Sequence, residues 1–228
     1  MGCAYFVTGT DTGVGKTMIA VALLEAAAQQ GFSTAVIKPV AAGCDKTPEG
    51  LRNDDACRLR QACTFPLRYE QINPIALAPG IAPHFAAERL GLTLDAGDLA
   101  RHCESILALD ADYTFIEGAG GWRVPLNGHE TFADIAKQLN LPVILVVDIK
   151  LGCLNQALLS AEAIQSDGLK LAAWVANQAG DKDECHREMV DALCKRLPCY
   201  FLGDVPHVKQ VGDDFQLATY LKTDDFFI

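Results

Sequence analysis

GTDTGVGKT, residues 9–17, is the stretch whose reading decides the fold. An apolar run, AYFVT (residues 4–8), precedes it, and MIAVALLEAAAQQ (residues 18–30) follows with helical character. A Gly-rich turn between a strand and a helix is the context in which backbone N–H groups converge on a phosphate. Gly13 and Gly15 reach backbone angles closed to other residues and let an anion approach closely. Lys16 supplies a mobile positive charge for the β- and γ-phosphates, and Thr17 offers a hydroxyl to Mg²⁺. The common pattern GxxxxGK[ST] places its first Gly at position 10, where this chain has Thr10. Gly9 stands one place earlier, so the loop is one residue longer. A plain glycine turn with an exposed lysine would leave the Gly-Lys-Thr order unexplained.

Working outward, further apolar runs read as buried strands at residues 34–38, 113–117, 143–148 and 171–177. Their near-continuous apolarity suits a parallel sheet covered on both faces. Helical stretches lie between them at residues 16–30, 96–109, 132–139, 154–166 and 184–196, and Gly31 is placed to stop the first. This alternation predicts an α/β fold, a mostly parallel sheet with helices on both faces, in the manner of the phosphate-loop NTPases. No linker or repeat interrupts the pattern, so residues 1–228 read as one domain. Ligands in such sheets bind at the carboxyl ends of the strands. The polar residues that follow the apolar runs are therefore the candidates: the loop itself, Lys38, Glu117 and Asn177.

Composition narrows the classes. The net charge of −10 argues against general nucleic-acid binding, which needs a basic face. The longest apolar runs are too short to span a bilayer, and the N-terminus MGCAYFVTG has no basic leader, so a cytoplasmic protein is expected. The nine cysteines are scattered without a CxxC pair, which excludes the familiar zinc and redox spacings and suits reduced thiols.

Glu117 ends an apolar run and precedes Gly118, Ala119, Gly120 and Gly121, a position suited to a Mg²⁺-holding carboxylate. Lys38 ends another run, where a lysine is disfavoured unless its head reaches solvent or a ligand. Asp54 and Asp55 read equally as metal ligands or as the acidic first turn of a helix. His84, in an Ala-rich helical stretch, reads as a structural histidine or one near a substrate mouth. The adjacent pairs His102–Cys103 and Cys185–His186 have poor spacing for a shared metal. Asp148 ends a very apolar strand and is placed to orient the loop after it, without an assignable role.

Taken together, YFVTGTDTGVGKT (residues 5–17), KPVAAG (38–43), KTPEGLRNDDA (46–56), IEGAGGWRVPL (116–126), LPVILVVDIKLGCLNQALL (141–159) and WVAN (174–177) resemble dethiobiotin synthetase. The resemblance covers nearly the whole chain. It implies an ATP-dependent cyclo-ligase that carboxylates 7,8-diaminononanoate with CO₂, activates the carbamate with ATP and closes a cyclic urea. It implies Lys16, Lys38 and Thr12 at the reacting groups, and Thr17, Asp55 and Glu117 as Mg²⁺ holders. It places ATP against Gly13–Met18, Asp55, Glu117–Gly120, Asn177, Gln178, Pro206, His207, Val208 and Asp213, with Asn177 reading adenine and 206–208 packing on it. It places the diamino acid against Lys38, Ala42, Leu151, Gly152, Cys153 and Asn155, with its carboxylate reaching 151–155 across a homodimer interface.

Three positions depart from the family pattern. Ala42 stands where a Ser or Thr is common, Met189 where a Tyr contacts the substrate tail, and Gly13 where some members are acidic. A nucleotide-driven switch is a rival reading. Partitioning ATPases carry an extra lysine early in the loop, and residues 1–15 contain none. A guanine switch wants NKxD, whereas residues 177–180 read NQAG. A small-molecule kinase, or an ATP ligase fed by glutamine, remains on the same fold, but 228 residues leave little room for a glutamine-hydrolysing domain.

Overall fold

The computed structural model describes residues 2–181, 183–207 and 216–227. Strands and helices alternate: β1 (Cys3–Gly9), α1 (Lys16–Gln29), β2 (Thr34–Ile37), β3 (Val40–Ala42), β4 (Asp45–Thr47), β5 (Gly50–Arg52), α2 (Asp54–Ala62), α3 (Tyr69–Ile72), β6 (Ile75–Leu77) and α4 (Pro83–Arg89). Then follow α5 (Ala96–Leu107), β7 (Tyr113–Gly121), α6 (Phe132–Gln138), β8 (Val143–Asp148), α7 (Cys153–Ser166), β9 (Leu171–Asn177), α8 (His186–Cys194) and β10 (Tyr200–Val205). A 3₁₀ turn spans Leu217–Tyr220.

Six strands form one parallel sheet in the order β10-β9-β8-β1-β7-β2. Every residue of β2 and β8 is buried, so both faces of the sheet are covered by helices, as the unbroken apolar runs require. The chain leaves β1 at the centre of the sheet. Its pairing with β7 sets Val7 opposite Glu117, and its pairing with β8 sets Gly9 opposite Val146. The loop after β1 therefore opens between the ends of β7 and β8.

Two expectations are corrected. The GAGG run does not follow a strand but is its end, because β7 continues through Gly121 and pairs with Gly9 beyond a shift in register. The helix expected from residue 184 starts at His186, and the one expected from 154 starts at Cys153. The stop at Gly31 is realised, with φ of 89° just past α1. The short strands β3–β6, the helices α2 and α3 and the edge strand β10 add to the elements read from apolar runs.

All nine cysteines are free thiols. Among the described residues no helix is long and apolar enough to cross a membrane. The largest fully buried side chain is Trp174 on β9, stacked on Phe201 of β10 with ring centroids 4.5 Å apart. Trp174→Ala should cost about 3–5 kcal/mol through the cavity it leaves. Chemical denaturation checks this, and an unchanged midpoint would show that the sheet edge collapses without penalty.

Candidate functional site

The loop 9–17 leaves β1 and ends on the first turn of α1. Gly13 and Gly15 have φ of 75° and 90°, which only glycine adopts without strain. A Cβ on Gly15 would lie 2.2 Å from Asn177 Nδ2. Asn177, fully buried at the end of β9, donates through that nitrogen to the Val14 carbonyl at 2.8 Å. Asn177 thus props the loop from below, while its Oδ1 is buried without a partner. Lys16 opens α1, and its Nζ donates to the Asp11 carbonyl at 2.9 Å, bent back over its own loop.

Behind the loop, Glu117 is 1% exposed. Its Oε1 accepts from Thr17 Oγ1 at 2.9 Å and from Lys38 Nζ at 2.5 Å. Lys38 follows β2, is 6% exposed, and also pairs with Asp55 at 3.2 Å. Asn73 Nδ2 donates to the Lys38 carbonyl at 2.8 Å and fixes the backbone there. Asp55 lies in the first turn of α2, which Asn53 caps by accepting from the Ala56 amide. The Asp pair is thus the acidic first turn of a helix, and its second member faces the cluster through Lys38.

Burial would lower the Lys38 ammonium, but the carboxylates of Glu117 and Asp55 outweigh it and hold its pKa above the usual value. Lys16 goes the other way. Burial pulls it down to about 8, only partly opposed by Glu117, and Lys38 adds repulsion. Two lysines that meet at one site are thus shifted in opposite directions by their neighbours.

The chemistry of the donor set fits Mg²⁺. Thr17, Asp55 and Glu117 offer oxygens only, and Glu117 Oε2 is buried with no partner. Two carboxylates and a hydroxyl leave positions for phosphate oxygens and water, which Mg²⁺ favours over an all-protein cage.

A cavity of 530 Å³ opens beside this cluster, lined by Thr12, Lys16, Lys38, Ala42, Gly118, Ala119 and Gly120 together with Val40, Ala41 and residues 80–83. The expected residues Thr12, Lys16, Lys38 and Ala42 therefore meet in one place. The wall from Gly80 to Pro83 was not anticipated. Its only signal is the turn composition of APGIAP, and Gly80 packs against Gly43 at the β3 end. His84 follows that wall but is not among the lining residues; its Nδ1 is buried without a partner, unlike a satisfied structural histidine.

Gln178 lies beside Asn177, with its amide donating to the Val205 carbonyl at 2.9 Å. Pro206 and His207 follow β10 directly, next to this loop. Val208 and Asp213 fall outside the described residues. Met18 is half-buried on α1 and packs on the core.

Leu151, Gly152, Cys153 and Asn155 are not among the residues lining the cavity. They form the turn into α7, where Gly152 has φ of 94° and Leu151 is 89% exposed. Met189 of α8 is buried, with its sulfur 3.6 Å from Cys153 Sγ. Sequence reasoning left Asp148 without a role. Its Oδ1 accepts from the Ala179 amide at 3.0 Å and its Oδ2 pairs with Lys150 Nζ at 2.9 Å.

A family model described as an AAA domain matches residues 3–214. ATP-dependent dethiobiotin synthetase from Pseudomonas aeruginosa (strain UCBPP-PA14) is 54% identical over 207 residues, 91% of each chain. The enzyme of that name from Cellvibrio japonicus is 51% identical over 211 residues, 92% of each. The chain belongs to the dethiobiotin synthetase family. The resemblance read from the motifs is thereby borne out. Among solved structures, a ParA family ATPase from Chlorobium tepidum superimposes with a TM-score of 0.60 at 12% identity, covering 96% of this chain and 97% of that one. The MinD cell division protein of Aquifex aeolicus gives 0.57 at 16% identity, covering 99% and 91%. At those identities the likeness shows the phosphate-loop NTPase fold alone.

Gly15→Ala is strained by its positive φ and drives a methyl into Asn177, so it should lower stability by about 1–3 kcal/mol and weaken nucleotide binding. Wild-type affinity in calorimetry would show that Asn177 gives way freely. Nucleotide affinity should also fall as pH rises through about 8, because the free protein loses the Lys16 proton there and the phosphates favour the charged form. The sign follows from the depressed pKa: below about 8 Lys16 is charged before binding, and above it binding must take up a proton. Affinity independent of pH up to 9.5 would count against Lys16 facing the phosphates.

Proposed function

We propose that the chain is an ATP-dependent dethiobiotin synthetase that makes the ureido ring of dethiobiotin from 7,8-diaminononanoate and CO₂, with release of ADP and phosphate. The observation that carries this is the cavity shared by the phosphate loop and the buried Lys38. One cation faces a transferring phosphoryl group, and a second waits where a carbamate would form.

One amine of the diamino acid takes up CO₂ to give a carbamate, whose negative charge Lys38 offsets. A carbamate oxygen attacks the γ-phosphorus of ATP, and the bond to the bridging oxygen breaks as ADP leaves. Lys16 neutralises the charge spread over the transferring group. The second amine then attacks the carbonyl carbon, and the C–O bond breaks to expel phosphate. Thr12, at the mouth of the same cavity, positions the reacting groups. Mg²⁺, held by Thr17, Asp55 and Glu117, would neutralise phosphate charge when bound.

At the other end of the nucleotide, Asn177 Oδ1 is a buried acceptor without a donor, which suits the exocyclic amine of adenine. Gln178, Pro206 and His207 border that position, with Val208 and Asp213 completing it by family resemblance. The carboxylate of the acid is assigned to the turn into α7. Gly152, Cys153 and Asn155 stand at the start of a 14-residue helix with no acidic residue in its first turn, so its free N–H groups favour an anion. This turn does not line the cavity of its own chain, and Leu151 and Leu159 are large exposed apolar side chains on and beside α7. Both points support a homodimer in which a second subunit supplies the turn. The absence of a hydroxyl at Ala42 removes one contact to the substrate head. We assign the enzyme to the cytoplasm, where its nine free thiols stay reduced.

Dethiobiotin formation, followed while ATP, bicarbonate and the diamino acid are omitted in turn, tests the reading. Each omission should abolish product, and phosphate release indifferent to the diamine would refute it. Lys16→Ala should lower the rate about 10²–10³-fold, the usual loss for one donor aimed at a transition state. A near wild-type rate would exclude Lys16 from phosphoryl transfer.

A further inference from the structure

Asp148 is 7% exposed at the end of β8, a strand otherwise wholly apolar. A carboxylate there is costly unless each oxygen finds a partner. Both do, and the partners belong to different loops. Oδ1 accepts from the Ala179 amide at 3.0 Å, in the segment that begins with Asn177 and Gln178. Oδ2 pairs with Lys150 Nζ at 2.9 Å, one residue before the turn into α7.

Backbone bonds hold the first residues beyond each strand, with the Gln178 amide donating to the Val205 carbonyl at 2.9 Å. The Asn177 carbonyl accepts from the Ile149 amide at 2.9 Å, so β8 and β9 stay in register up to that point. Beyond it the ladder ends, and the Ala179 amide is tied to β8 through the Asp148 side chain. Cys153 N donates to the Lys150 carbonyl at 2.9 Å, so the backbone of Lys150 is part of the turn that presents Gly152 and Cys153. Anchoring the Lys150 head therefore steadies the turn.

We propose that Asp148 is a positioning residue for both ends of the reaction: one carboxylate oxygen sets Ala179, in the segment that leaves β9 directly after the base-reading Asn177, and the other sets the turn that receives the acid's carboxylate. The second half rests on the assignment of residues 151–155 made above. Asp148 itself touches neither ligand.

The test separates the two oxygens. Asp148→Asn keeps an oxygen for the Ala179 amide and loses the ion pair, Lys150→Met loses only the ammonium, and Asp148→Ala loses everything. ADP affinity is read by calorimetry, the KM for the diamino acid at saturating ATP and bicarbonate, and the melting temperature alongside. Asp148→Asn and Lys150→Met should raise the KM for the diamino acid about tenfold, the scale of one charge-assisted hydrogen bond, with ADP affinity within about twofold of wild type. Asp148→Ala should show the same KM change and, in addition, about tenfold weaker ADP binding. Equal effects of Asn and Ala on ADP, or a lowered melting temperature with both constants unchanged, would overturn the proposal. Wild-type turnover that ignores the diamino acid would refute the functional reading instead, and the ADP comparison of Asn with Ala would still decide the first half.

Discussion

Glu117 is a carboxylate almost wholly removed from water, and the rest of the site is arranged around that fact. One of its oxygens takes hydrogen bonds from Thr17 and Lys38, which come from α1 and from the end of β2. Those partners reach it only because β7 lies between β1 and β2 in the sheet. A buried carboxylate left unpaired would cost several kcal/mol. Strand order and site chemistry are thus one constraint. The buried acid is tolerable where the phosphate loop and the lysine flank it, and its second oxygen remains free for a ligand to complete.

Much of this was legible beforehand, for a physical reason. Unbroken apolar runs mark strands buried on both faces, and the first polar residue after each run must sit at the sheet's carboxyl edge. Lys38, Glu117 and Asn177 were found by that rule, and the structure puts all three at the phosphate loop. The rule fails for elements of three or four residues. β3 to β6 carry too few residues to show a period, so the cavity wall at 80–83 gave no signal beyond its turn composition. It also misjudged the GAGG run, since glycine reads as a loop although here Gly121 pairs with Gly9. The choice between Asp54 and Asp55 is a matter of which side chain faces Lys38. Helix spacing does not carry that information, and it came only from the family resemblance and then the salt bridge.

The fold does not settle the chemistry. ParA and MinD proteins share this architecture at 12% and 16% identity. In the present chain no lysine precedes Lys16, and a second lysine, Lys38, enters the site from the end of β2. A lysine in the loop reaches only the phosphates of the nucleotide. A lysine arriving from the neighbouring strand reaches a cavity beside the phosphates, where a second substrate has room. The position from which the cation arrives, rather than its presence, marks a site for two reactants.

The two lysines also divide the electrostatic work. Lys38 is held cationic by Glu117 and Asp55, so its charge is in place before any ligand arrives. Lys16, desolvated and facing Lys38, holds its proton more loosely, and its ammonium is parked on the Asp11 carbonyl. Arrival of a polyanion removes the reason for that weakness, because phosphate oxygens supply both hydrogen bonds and opposite charge. In the proposed mechanism the cation that meets the phosphoryl group, Lys16, is the one whose charge responds to the nucleotide. The cation proposed to face the carbamate, Lys38, is the one whose charge does not. Exchanging the two environments would leave a weakly charged lysine before the carbamate and a tightly paired one before the phosphates. Burying Lys38 between two carboxylates, and leaving Lys16 on a carbonyl, shifts the two lysines in opposite directions.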